Sequence, residues 1–153
     1  MAVTGPSSQR DVAVEARVNL SYDTSVNESP RVPYQGIVVR AEGDDWIRLV
    51  ADFDQDRCLK LQAHIGGQWR RLATWTFPHD FPDPRGPGWH TMRLELRGDA
   101  ARVFFDGREL TQRPVRFSGR PRGQSGLYAY HWGGDHHDSR VAHFDDFRVE
   151  TLN

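Results

Sequence analysis

Hydrophobic and polar residues alternate along much of the chain, and a period of two is typical of β-strands that bury one face. Residues 12–20, VAVEARVNL, carry valine, alanine or leucine at every even position, whereas most odd positions are polar. The runs 36–41, 46–53 and 58–65 follow a similar pattern. No segment of convincing length has the 3.6-residue period of an amphipathic helix.

Turn-forming residues separate these runs from further strand-like segments, which are residues 69–77, 89–96, 101–107, 126–132 and 140–150. The segment 78–88 contains four prolines, which predict a loop at the surface or the rim. Nine or ten short strands at regular spacing predict an all-β fold, an antiparallel sandwich of two sheets.

The length of 153 residues fits one domain with a substantial core. We predict a flexible leader over residues 1–10 and a single domain over residues 11–153. The first residues lack the apolar stretch of an export signal, and no run approaches the 18 apolar residues of a membrane span. The residues themselves therefore assign no cellular location and predict no membrane partner.

Composition narrows the function classes further. The apolar fraction is 37%, and the mean hydropathy of −0.70 fits many half-buried strands. The formal net charge of −1 gives no electrostatic argument for binding nucleic acid. Cys58 is the only cysteine, which excludes an internal disulfide framework and a cysteine-rich zinc site.

Several stretches together resemble the concanavalin A-like lectin/glucanase superfamily, in particular its laminin-G-like jelly-roll domains and glucanase-like sandwich modules. They are GIVVRAEGDDWIRLVADF, LKLQAHIGGQWRRLA, GWHTMRLELRGDAARVFFDGREL, GQSGLYAYHW and HFDDFRVE. The resemblance covers roughly residues 11 to 150. It implies a jelly-roll β-sandwich, and its likeness to secreted modules favours an extracytoplasmic role. This fold hosts lectins, hydrolases, lyases and inert spacers, so it does not by itself select a function.

Domains of this type often begin with one more N-terminal strand than the strand predicted at residues 12–20. Either the leader supplies a short strand here, or one sheet edge is left open for another domain or subunit. A structural or interaction domain without a ligand is therefore one alternative function.

Strand parity predicts which polar and aromatic side chains share the outer face of one sheet. In a jelly roll these strands line the concave sheet, where aromatic rings cover apolar sugar faces and polar groups bond to hydroxyls or a carboxylate. We therefore expect a carbohydrate-recognition or accessory module that binds a polysaccharide or oligosaccharide. The candidate ligand-binding residues are Arg40, Trp46, Arg48, Lys60, Gln62, His64, Tyr128, Tyr130 and Trp132.

Catalysis is the second alternative. Glycosidases of the superfamily carry a Glu-x-Asp-x-(x)-Glu array, and no such array occurs here. Jelly-roll alginate lyases resemble this chain in the order of an Arg strand, Gln-x-His and a Tyr strand. In a small polysaccharide lyase that acts on a uronate-containing glycan by β-elimination, the resemblance gives Arg40 and Gln62 the carboxylate, His64 the role of base and Tyr128 or Tyr130 the role of acid. The Arg motif is incomplete, however, and the lysine position holds Gln124 or Ser125.

Neither a carbohydrate-recognition module nor a polysaccharide lyase of this kind requires a cofactor, although a structural calcium ion is an option. Related sandwich modules place calcium against an aspartate of the final strand. Of the pair Asp145-Asp146, we choose Asp146, because it points away from the side of Phe147 and Val149 if these two face inward. The pair His136-His137 is better explained as part of a polar loop, because neighbouring strand residues point to opposite faces.

Overall fold

The structure, a computed structural model, describes residues 2–4, 11–19, 34–52, 58–76, 89–119, 122–130 and 142–153. Its regular elements are twelve β-strands, and every described strand pair is antiparallel. In this part of the chain, no helix is long and apolar enough to cross a bilayer. The predicted antiparallel sandwich of two sheets is confirmed.

Six strands form the first sheet: β1 (Ala2–Thr4), β3 (Tyr34–Glu42), β4 (Asp45–Asp52), β5 (Cys58–Ile65), β6 (Gln68–Thr76) and β11 (Gln124–Tyr130). Their order across the sheet is β1–β11–β3–β4–β5–β6. Two-residue turns connect β3 to β4 and β5 to β6, and Gly43, Gly66 and Gly67 in these turns have positive φ. Glycine has no Cβ to oppose that conformation, so the hairpins can be tight.

The second sheet is built from β2 (Val12–Asn19), β7 (Trp89–Arg97), β8 (Ala100–Phe105), β9 (Arg108–Glu109), β10 (Val115–Arg116) and β12 (Phe144–Thr151). The order is β10–β8–β7–β2–β12, and β9 pairs with β8. The second sheet faces the first across the core.

Alternate residues of both sheets meet between the layers and form one core. Side chains with essentially no exposed surface include Val14, Val18, Ile37, Leu49, Leu61 and Leu94. Removing each such aliphatic side chain from water contributes roughly 2 kcal/mol, and the alternation in the sequence is what directs these residues inward.

A few hydrogen bonds also tie the two sheets together. The indole Nε1 of Trp75 donates to the carbonyl of Leu110 at 3.3 Å. The amide of Gln35 donates to the carbonyl of Asn19 at 3.2 Å. In each bond, a side chain of the first sheet donates to a backbone carbonyl of β2 or of the residue that follows β9.

Three residues of the predicted leader, Ala2–Thr4, form a short strand. The backbone of Ala2–Thr4 pairs antiparallel with β11, with Val3 opposite Gly126. Of the two alternatives for the start of the domain, the structure has the additional short strand. Three residues without regular alternation give little signal in the sequence, and only the edge of β11 makes them a strand.

Candidate functional site

Strand register assembles a set of aromatic and cationic side chains on the outer face of the first sheet, the face turned away from the core. Trp46, His64 and Trp69 are direct cross-strand partners on β4, β5 and β6. Direct partners in an antiparallel sheet place their side chains on the same face. We call these three residues the ring row.

The ring row combines a packed part with an accessible part. The rings of Trp46 and His64 stack with centroids 5.7 Å apart and an interplanar angle of 23°. Trp69 has 50% of its surface exposed. An indole on an edge strand with half of its surface in water is available to a ligand, whereas a core tryptophan is not.

The orientation of His64 is set by a backbone acceptor. Its Nδ1 lies within hydrogen-bond distance of the carbonyl oxygen of Asp44. A carbonyl can only accept, so Nδ1 carries the proton and donates. In the neutral ring, Nε2 is then an acceptor.

Arg48 lies beside the ring row and is held on several sides. Its Nε donates to Oε1 of Gln62 at 2.8 Å. The guanidinium carbon lies 4.2 Å from the ring centroid of Trp46 and 4.4 Å from that of Tyr128. Burial lowers the pKa of Arg48, and the neighbouring Tyr128 phenol partly offsets this effect. The contacts with Gln62, Trp46 and Tyr128 hold the guanidinium in a fixed position on the face.

Lys60 and Asp52 form a buried ion pair on the same face. The ammonium Nζ is 2.7 Å from Oδ2 of Asp52, and Nζ also lies 5.9 Å from the ring centroid of Tyr34. Lys60 is 4% exposed and Asp52 is fully buried. A pair so deeply buried supports the sheet and offers little surface to a ligand.

Tyrosines occupy the other side of the face, on β3 and β11. Tyr128 is opposite Gly36 and Tyr130 is opposite Tyr34. Tyr130 is 45% exposed, and its ring lies 6.2 Å from that of Tyr34. The predicted outward orientation of Tyr128 and Tyr130 agrees with this register, since their neighbour Leu127 packs against the core.

The prediction that Arg40 shares this face is wrong. Two residues of β3, Arg40 and Ala41, oppose Trp46 alone, which is a β-bulge, and Arg40 adopts a φ of 53°. The bulge turns the side chain between the sheets, where Nη1 donates to the Gly98 carbonyl at 2.7 Å and the guanidinium lies 5.9 Å from the Phe117 ring. Simple parity cannot anticipate such an extra residue.

Sequence reasoning missed Trp69, and a second bulge explains why. Leu61 pairs with Ala73 but Gln62 pairs with Arg71, so Leu72 is the extra residue of β6. Trp69 and Arg71 therefore face outward, whereas Ala73 and Trp75 pack against the core. Strict alternation would have placed all four on one face. In the sequence, the position of Trp69 directly after the turn that follows the strand with His64 was the signal that could have placed it near His64.

The remaining predicted site residues have different outcomes. Lys60 and Gln62 lie on the predicted face, but they are 4% and 3% exposed, so they support neighbouring groups. Trp132, the segment 78–88 and His136-His137 lie outside the described residues. The set named for a lyase is not brought together, because Arg40 points into the sandwich while His64 lies on the outer face.

Asp146 stays a prediction as a calcium ligand. It lies in a bulge of β12 with a φ of 47°, and its Oδ2 is 3.7 Å from Nη1 of Arg17. Phe147 and Val149 pack against the core, as the choice of Asp146 assumed. Among the described residues, no group of three or more His, Cys, Asp or Glu side chains is arranged to hold a metal.

Comparison with solved structures agrees with this architecture. The carbohydrate-binding module CBM66 from Bacillus subtilis superimposes with a TM-score of 0.67 at 17% identity, over 92% of this chain and 75% of that chain. Sheep galectin-11 gives a TM-score of 0.60 at 10% identity, over 97% and 96% of the two chains. The GH43 protein BlXynB from Bacillus licheniformis gives 0.65 at 11% identity, over 94% of this chain but 28% of its own length.

No protein-family model and no curated protein matches the chain. At these identities the structural neighbours show the fold. The chain is a concanavalin A-like jelly-roll β-sandwich, as the resemblance in the sequence implied.

Proposed function

We propose that the protein is a recognition module that binds a polysaccharide or oligosaccharide on the outer face of its first sheet. The observation that carries this proposal is the ring row of Trp46, His64 and Trp69 across three adjacent strands, with Arg48 beside it. Two of the similar structures are named as a carbohydrate-binding module and a galectin, which supports the same class of ligand.

The chemistry of the face suits a saccharide. Sugar rings have C–H faces that pack against aromatic side chains, while their hydroxyls require donors and acceptors at the edges. Trp69 supplies an accessible aromatic surface, and Tyr130 supplies another at the far side of the sheet. The Nε2 atom of His64 and the guanidinium of Arg48 add an acceptor and a donor between them.

The direction of the ring row favours an extended chain over a single sugar. Neighbouring strands are about 4.8 Å apart, so three partners on β4, β5 and β6 span roughly 10 Å across the sheet. A ligand that follows this row meets one side chain on each strand. A linear glycan can do this without bending.

Substitution of the accessible tryptophan tests the proposal, and the chain offers a matched control. Trp69 and Trp89 are both exposed, at 50% and 39%, but Trp89 lies on β7 of the second sheet. A panel of immobilised polysaccharides identifies a ligand, and calorimetry then compares the variants. We expect Trp69→Ala to weaken binding about tenfold or more, equivalent to roughly 1.4 kcal/mol, and Trp89→Ala to leave it unchanged.

Equal loss in both variants, or no loss in Trp69→Ala, would place the binding surface elsewhere. The same panel also separates binding from turnover. If a uronate polymer gains ultraviolet absorbance from an unsaturated product, and His64→Ala abolishes the gain, the protein is a lyase and the recognition module is rejected. If no saccharide binds or reacts, the structural alternative is favoured.

A further inference from the structure

We propose that the site selects acidic saccharides, with the Arg48 guanidinium binding a carboxylate or sulfate group of the glycan. This inference rests on the proposed function and names the chemical class of its ligand. The observations that lead to it are the contacts of Arg48 and the distribution of charge over the two outer faces.

Arg48 is fixed in place by neutral groups. Its contacts are the amide oxygen of Gln62, the indole of Trp46 and the phenol ring of Tyr128. None of the described carboxylates forms an ion pair with it; the Asp52 carboxylate on this face bonds to Lys60 instead. A half-buried guanidinium with neutral neighbours carries a positive charge that a bound anion can neutralise.

Arginines of the second sheet show the contrasting arrangement. Arg102 donates to both carboxylate oxygens of Glu109, at 2.8 and 2.6 Å. Arg93 lies within 3.0 Å of both Glu95 and Glu150. On that face the charges of these arginines are balanced within the protein, so an anionic ligand would have to displace existing partners.

Among the described residues of the first sheet's outer face, cationic side chains outnumber carboxylates. Its described residues include three cationic side chains, Arg48, Lys60 and Arg71, and one carboxylate, that of Asp52. The whole chain carries a net charge of −1. An excess of positive charge among the described residues of this face, on a slightly acidic protein, favours an approaching anionic polymer at this face in particular.

Contacts with two rings and one amide also prepare Arg48 for planar recognition. The guanidinium lies close to the rings of Trp46 and Tyr128, and its Nε donates to Gln62, so its rotation is restricted. A guanidinium held in one plane loses less conformational entropy when it binds the two oxygens of a carboxylate or sulfate.

The test compares matched glycans on the unmodified protein. Polygalacturonate is measured against its fully methyl-esterified form, and dextran sulfate against dextran. Each pair keeps the backbone and removes the anion, so the two arms distinguish carboxylate from sulfate. We expect the acidic member of at least one pair to bind about tenfold more tightly, with the difference shrinking as salt is raised. Equal binding, or tighter binding of both neutral members, would overturn the inference while leaving the proposed function intact.

Variants then assign the preference to Arg48. We expect Arg48→Gln to abolish the tenfold preference while retaining the binding that the rings provide. Arg148→Gln, an exposed arginine on β12 of the second sheet, is the matched control and keeps the preference. A preference that survives in folded Arg48→Gln contradicts the role of Arg48. Should that variant not fold, Arg48→Lys retains the charge without the planar fork, and we expect it to reduce the preference several-fold.

If neither acidic nor neutral glycans bind the unmodified protein, the proposed function fails and this inference fails with it. If both bind and Trp69→Ala weakens both, but charge makes no difference, only the selection of acidic saccharides is rejected.

Discussion

At the scale of single residues, some side chains on the outer face of the first sheet are exposed to solvent, whereas others are buried and orient their neighbours. Lys60, the only lysine of the chain, forms an ion pair with buried Asp52. Gln62 is almost inaccessible, yet it orients Arg48 by accepting from Nε. By residue type alone, Lys60 and Gln62 are as suitable for contacting a ligand as the aromatic side chains are. Their burial shows that Trp69 and Tyr130 are much more accessible than either.

Arg40 provides a prediction at this scale. Because its side chain points between the sheets and donates to the Gly98 carbonyl, we expect Arg40→Ala to lower the free energy of unfolding by about 2 kcal/mol. Glycan affinity of the folded protein is expected to stay unchanged. Urea denaturation and calorimetry measure the two quantities. Arg116→Ala removes an exposed pair with Asp99 and should cost less than about 1 kcal/mol. A loss of affinity without loss of stability in Arg40→Ala would return Arg40 to the binding site.

At the scale of elements, two bulges and one close contact between strands determine which side chains lie on the outer face of the first sheet. The bulge in β3 removes Arg40 from the outer face, and the bulge at Leu72 directs Trp69 and Arg71 onto it. Gly36 on β3 lies between Tyr128 on β11 and Val50 on β4. Its missing side chain allows the backbones of β3 and β4 to approach closely at this point.

Gly36 gives the prediction for this scale. A Cβ at Gly36 would lie 1.9 Å from the backbone oxygen of Leu49, a contact that requires the strands to move apart. We therefore expect Gly36→Ala to lower the free energy of unfolding by about 3 kcal/mol or more, and to weaken glycan binding through the displaced Tyr128. Gly43→Ala is the control, because it meets open space and incurs only the cost of a positive φ, about 1 kcal/mol. Equal midpoints in urea for the two variants would argue against a close contact at Gly36.

At the scale of the whole molecule, the two outer faces differ in how their charges are arranged. The second sheet carries paired charges such as Arg102–Glu109 and the Arg93 cluster, which is a pattern typical of a solvated surface. The described part of the first sheet's outer face carries rings and cations, and its Asp52 carboxylate is buried against Lys60. Among the described residues, the two outer faces therefore differ: one carries charges paired within the protein, and the other carries the rings and Arg48 on which the proposed function rests.

The paired face contributes to the pH dependence of stability. The hydrogen bonds from Arg102 lower the pKa of Glu109, with a further contribution from Thr111. A carboxylate whose folded pKa is depressed stabilises the fold above its unfolded pKa, and this contribution is lost as pH falls through the lower folded value. We expect the melting temperatures of the unmodified protein and Glu109→Gln to differ slightly near neutral pH and to converge below roughly pH 4, as thermal unfolding across pH measures. A difference that grows toward acid pH would contradict this linkage.

Much of this architecture is determined by the sequence itself. Alternation of apolar and polar residues specifies the strands and which side of β2, β4 and β5 enters the core, because burying one face is the dominant stabilising term in a sandwich. The same alternation predicted the outward positions of Trp46, Arg48, His64 and Tyr128, and the register agrees with them.

Other features depend on contacts between distant parts of the chain, and only the tertiary structure decided them. The bulge at Arg40, the bulge at Leu72 and the short strand Ala2–Thr4 each arise where one strand must fit its neighbour. Burial of Lys60 and Gln62 likewise depends on what surrounds them in three dimensions. Periodicity is a local property with a period of two, whereas a single extra residue reverses the face of everything beyond it. For this reason the strands could be predicted from the sequence, while the composition of the proposed binding face could be predicted only in part.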